Sequence, residues 1–211
     1  MNKSKSKVFF VKIIFFAAIA FLLFNLLSFL DCIFSSKNIS MEGEEILRIR
    51  FFGNSEEAGT NTVSANIAML DNAGTEIAVI ERSWNGNFLA IDFIRTELSN
   101  SVFYFPVDVY GVASISKDYK SDFKLKKIGS NLSKYYIDFN RCLLVQPLQL
   151  QKKLFKIADF SLNPFIFVSL FFSKKVTLRL HECEGGKTYG IYIKNGSFYL
   201  EEENFANLEF R

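Results

Sequence analysis

His181-Glu182-Cys183-Glu184, followed by Gly185-Gly186, gathers an imidazole, a thiol and two carboxylates in one short stretch. These are the groups that hold zinc or activate a nucleophile. Zinc needs three or four convergent ligands. On a strand, alternation sends His181 and Cys183 to one face and Glu182 and Glu184 to the other. His181 is the single histidine of the chain, so a metal site would have to recruit its remaining ligands from other segments. A Ser-His-Asp system would depend on the same residue, and no serine stands in a G-x-S-x-G nucleophile elbow. The plain reading is a strand ending in a Gly-Gly turn, with no metal and no catalytic residue.

Other chemistry is equally sparse. Asp92, Asp108 and Asp138 fall in strand-like stretches and read as outward-facing side chains. No phosphate loop or dinucleotide fingerprint occurs, so no cofactor is expected. Trp84, the one tryptophan, follows Arg82 and precedes Asn85-Gly86. Together with Tyr104 and Tyr110 it offers the aromatic surface a glycan or other ligand would need, making Trp84, Arg82, Tyr104 and Tyr110 the ligand-binding candidates. Cys142 and Cys183 are the disulfide candidates in an oxidising compartment, the alternative being two buried thiols.

Charge distribution says more than the net charge of +3, which excludes a strongly basic nucleic-acid binder. Residues 40–115 carry four basic and eleven acidic side chains, whereas residues 116–156 carry ten basic and three acidic. Solvated faces that partly pair account for this; a basic strip facing anionic lipid or an acidic partner is the sharper alternative.

The N-terminus carries the strongest signal. Lys3, Lys5, Lys7 and Lys12 precede an apolar run, Ile13 to Leu30, broken only by Asn25 and Ser28. Eighteen helical residues rise about 27 Å, close to the hydrocarbon thickness of a bilayer. The lysines on one side, against Asp31 and Lys37 on the other, orient the N-terminus to the cytoplasm. A cleaved signal peptide is the main competitor, but the run is long and lacks a good cleavage site. Phe29-Leu30-Asp31 before Cys32 departs from a lipidation motif.

After Glu45 the pattern becomes that of strands: 46–52, 62–70, 75–82, 88–94 and 101–111, separated by turn signals, then 175–183, 188–193 and 197–202. Residues 54–61 read as a loop, Asp71-Asn72-Ala73-Gly74 as a tight turn and Asn195-Gly196 as a type I′ turn. Pro106 marks an edge or bulged strand. Asn85-Gly86 predicts a hairpin in which Trp84 pairs with Asn87 and Ile80 with Ile91. Its core stripe is Ala78, Ile80, Leu89, Ile91 and Phe93, with Trp84 at the rim and Arg82 stacked on it. A further hairpin is expected around Gly129-Ser130-Asn131. Leu150, Leu154, Ile157 and Ser161 predict a basic amphipathic helix over 148–160 that packs across a sheet, with a position on a membrane surface as the alternative. Phe165 to Phe172 reads as a buried strand or short helix, with a membrane-dipping segment as the alternative.

These readings define a mainly β chain: an antiparallel β-sandwich or barrel-like body with one amphipathic helix, behind an N-terminal transmembrane helix. The expected organisation is a basic cytoplasmic tail (1–12), a signal-anchor (13–30), a linker (31–44), an extracytoplasmic body (45–203) and a tail (204–211). The expected role is binding or scaffolding in a cell envelope, bacterial periplasm or cell surface, with the membrane and another envelope protein as partners. A glycan- or ligand-binding β module is the second reading and an envelope enzyme the third.

Overall fold

The computed structural model describes residues 3–37, 39–57, 60–98, 101–113, 126 and 128–203. The chain is mainly β, in antiparallel sheets that do not close into a barrel, behind an apolar helix.

Helix α1 (Lys3–Ser36) contains the apolar run and continues beyond it. Its 34 residues amount to about 51 Å of helix. Phe9 to Phe24 are exposed on all sides and Leu26, Leu27 and Leu30 extend that surface on one side, and Phe9–Ser36 is long and apolar enough to cross a membrane. The expected linker is instead docked. Cys32, Ser35 and Ser36 in the last turns of α1, then Ile39 and Met41, are all buried against the body. The apolar pattern continues past Asp31 in a mixed form, with Cys32, Ile39 and Met41 among polar residues.

Strands β1 (Glu45–Glu57), β2 (Thr60–Leu70) and β3 (Glu76–Asn85) form one meander. With β10 (Thr188–Lys194) and β11 (Ser197–Glu202) they make a five-stranded sheet ordered β11-β10-β1-β2-β3. The second sheet is ordered β6-β5-β4-β9, from β4 (Phe88–Leu98), β5 (Ser101–Val112), the short β6 (Ser130–Asn131) and β9 (Ser173–Leu180). Within the expected loop at 54–61, residues 54–57 and 60–61 belong to paired strands, Glu57 opposite Thr60, and residues 58–59 lie outside the described residues. Asp71 closes its turn as expected, Oδ1 accepting from the amides of Ala73 and Thr75. Asn195 and Gly196 both take positive φ, as a type I′ turn requires. The register of β4 on β5 slips between Asp92 and Phe93, which bulges β5 next to Pro106.

The Asn85-Gly86 hairpin is a correction. β3 pairs with β2, Trp84 opposite Val63, while β4 pairs with β5 and β9. Asn85-Gly86 is the corner at which the chain changes sheets. The Gly86 amide still donates to Asn61 on the first sheet, and the Asn87 amide already donates to Val112 on the second. Gly86 has φ +141°, and a Cβ there would meet the Val112 nitrogen at 2.6 Å; a Cβ on Gly111 would collide with the Asn85 carbonyl. Only glycine permits both this backbone and this approach. The expected stripe does face the core, since Ile80, Trp84, Leu89, Ile91 and Phe93 share one cluster. Its two halves meet across the sandwich rather than along one sheet.

Among the described residues no hairpin forms around Gly129-Ser130-Asn131. Ser130 and Asn131 pair with β5, and a short helix α2 (Ser133–Tyr136) follows. The local hairpin is β7 (Ile137–Asp138) on β8 (Arg141–Cys142), turned by Phe139 and Asn140 at positive φ. Residues 122–125 and the expected tail 204–211 lie outside the described residues. The amphipathic helix is present as α3 (Leu148–Leu162). Leu154, Ile157 and Ser161 are buried, Leu150 is half-buried, and Lys152, Lys153 and Lys156 are exposed. It packs mainly on α1 and β8, not across a sheet.

Candidate functional site

The ligand-binding aromatics were expected on the surface, and the structure corrects this. Trp84, Tyr104 and Tyr110 are 3%, 2% and 7% exposed. Trp84 belongs to the core between the sheets. Tyr104 packs tilted against Phe198 with centroids 4.4 Å apart, donates to the Gly196 carbonyl at 2.6 Å and accepts from Arg95 Nε at 2.9 Å. It fastens the β10–β11 turn onto the second sheet. Tyr110 lies on the opposite face of that sheet with Phe88, Ala90 and Val112. Arg82 is exposed, but its guanidinium reaches Ser130 Oγ at 3.0 Å and the Ile128 carbonyl at 3.3 Å, tying edge strand β3 to β6. None of the four presents a ring face or free fork to a ligand.

The disulfide is absent: Cys142, on β8, and Cys183, beyond the end of β9, are free thiols. Cys142 is fully buried on β8, and Cys183 lines a cleft of about 240 Å³. That cleft also includes His181, Asn87 and Phe88, but β9 ends at Leu180, so His181 and Cys183 lie in the turn segment that follows and not on the strand expected over 175–183. His181 lies edge-on to Phe88, centroids 6.0 Å apart. Burial, reinforced by the Glu182 charge, pushes the Cys183 thiol up to about 12. At neutral pH it is a protonated thiol, and the nucleophile would be the thiolate. Among the described residues no group of three or more His, Cys, Asp or Glu is placed to hold a metal ion.

The best-formed polar cluster is one the sequence did not single out. Asp92, expected to face outward into solvent, has a fully buried side chain on the outer face of β4. Its Oδ1 accepts from Thr177 Oγ1 at 2.6 Å and Tyr110 Oη at 3.2 Å. Its Oδ2 accepts from Lys175 Nζ at 2.7 Å and from Lys126 Nζ. Burial raises the Asp92 pKa, but hydrogen bonds from Lys126, Lys175 and Thr177 outweigh it and hold the carboxyl below its ordinary value. An ionised carboxylate with all its lone-pair directions engaged is a poor acid or base and a good strand clamp. It joins β4, β5 and β9 to Lys126.

The other distinctive site is where α1 enters the body. Lys156 on α3 pairs with Asp31 at 2.7 Å. Phe29 meets Phe160 at 6.0 Å and Phe172 at 4.8 Å. Asn25, within the apolar run yet 1% exposed, donates to its own helix at Phe21 and, at 3.4 Å, to the Phe165 carbonyl. The only sequence signal for this contact is the polar interruption itself, which in an apolar helix marks a contact with another segment.

No protein-family model matches the chain, and neither the curated proteins nor the solved structures hold a match to it.

Proposed function

We propose that this chain is a single-span, membrane-anchored envelope protein whose β-rich body binds or scaffolds a partner outside the cytoplasm. One observation carries the reading. α1 exposes apolar side chains around its full circumference from Phe9 to Phe24, and on its remaining faces as far as Leu30, while Asn25 and Phe29 already meet the body. In water so large an apolar surface has no counterpart; in lipid it needs none. The N-terminal lysines supply the orientation. Burial of Trp84, Tyr104 and Tyr110 removes the basis for a glycan-binding surface built on them, and the saturated Asp92 cluster favours construction over catalysis. Binding or scaffolding is the role that rests on least. Alkaline phosphatase fused after Arg211 is expected to be active in a bacterial host. An inactive fusion, with activity from a reporter that works only in the cytoplasm, would overturn the topology.

A further inference from the structure

Contacts along α1 measure how far the segment after α3 travels. Lys156 lies level with Asp31 and Phe160 with Phe29. The Phe165 carbonyl then reaches Asn25, and the Phe167 ring stacks on Phe21 at 5.7 Å. Phe172 is back at Phe29, and β9 begins at Ser173. The chain therefore descends beside α1 and returns. In helical rise, Asn25 lies about 9 Å and Phe21 about 15 Å beyond Asp31. About 20 helical residues match roughly 30 Å of hydrocarbon, and every such window of Phe9–Ser36 contains both Phe21 and Asn25, so both levels fall within the bilayer.

The geometry points to Asn163–Phe172 as a re-entrant loop buried in the membrane leaflet nearest the body, its apolar side chains against lipid acyl chains. The inference rests on α1 spanning that bilayer. Phe165, Leu170 and Phe171 are 71%, 77% and 77% exposed, an unusual fate for such residues beside a packed core. The backbone suits a lipid environment, where unpaired amides are costly. Within the loop the amides of Ile166, Ser169 and Phe172 donate to carbonyls three residues back, and the Phe165 amide donates to Asn163 Oδ1. The 3-10 turn Phe167–Phe171 provides this closure. Asn25, costly if bare in hydrocarbon, is covered by the same loop. Exposed Lys152 and Lys153 before the descent and Lys174 after it stand where anionic headgroups would meet them.

The test is fluorescence quenching by acyl-chain-brominated phosphatidylcholine in vesicles holding the full chain. Leu23→Trp reports on α1, while Phe171→Trp and Leu170→Trp report separately on the loop. Buried Trp84 stays in every variant as an unquenched reference. The expected result is that brominated lipid removes most of the emission added at each of the three positions. Quenching at residue 23 with none at 170 or 171 would overturn the loop and leave that face to a protein contact. No quenching at any of the three would overturn the spanning helix and the loop together.

Discussion

The side-chain amide of Asn25 donates to the carbonyl oxygen of Phe165, 140 residues further along the chain, at 3.4 Å. The bond joins a polar interruption in an otherwise apolar helix to the tip of a loop whose own apolar side chains face outward. With the Lys156–Asp31 ion pair and the Phe29 contacts, it ties α1 to the body. Asn25→Ala is expected to cost about 1 kcal/mol, the usual scale of an interhelical polar contact in lipid. It should also speed hydrogen exchange at the amides of Ile166 and Ser169. Unchanged exchange there would mean that the contact holds nothing.

Trp84 separates a core role from a ligand role. It is 3% exposed, and its indole Nε1 has no hydrogen-bond partner among the described residues. Trp84→Ala is expected to lower stability to denaturant by about 3–5 kcal/mol. Trp84→Phe, which forfeits volume but no bond, should cost much less. A ligand role predicts the opposite pattern, an alanine variant that folds normally and fails to retain its ligand.

Asp92 gives the fold an acid limit. Its folded pKa is depressed, so its contribution is fully present above the unfolded value of about 3.9. That contribution is lost as pH falls through the lower folded value. Asp92→Asn is therefore expected to destabilise the protein at neutral pH by about 2 kcal/mol. This is less than for a wholly buried pair, because Lys126 and Lys175 remain partly hydrated. The variant should also show a weaker loss of stability below pH 4. An acid unfolding curve of unchanged shape would show that other carboxylates set the limit.

Gly111 tests the corner between the sheets. Its Cα passes so near the Asn85 carbonyl that a methyl group has no room. Gly111→Ala is expected to cost about 1–3 kcal/mol by overpacking. Gly74→Ala would be strained by its φ of +76° but would meet no neighbouring atom. Equal effects in the two variants would mean the crossing is slack.

Strand periodicity, the amphipathic stripe Leu150, Leu154, Ile157 and Ser161, and the long apolar run were legible because each is a local pattern. Burial on one face imposes its period on the residues themselves. Pairing was not legible at Asn85-Gly86. The dipeptide favours a two-residue turn, and only the distant close approach of Gly111 makes it a corner. Asp92 looked like any outward strand carboxylate because its donors Lys126 and Lys175 lie on other segments. The stretch Phe165–Phe172 has the composition of a buried strand. Its exposure follows from where α1 lies, which is not a property of those eight residues.

The central claim is that α1 crosses the bilayer with the body outside the cytoplasm. Impermeant maleimide labelling of intact cells tests it most directly, using Lys3→Cys and Glu201→Cys, each combined with Cys183→Ser. Glu201 is exposed on β11. The account predicts labelling of the Glu201→Cys chain in intact cells and of the Lys3→Cys chain only after permeabilisation. The reverse pattern, or protection of both until permeabilisation, would contradict it.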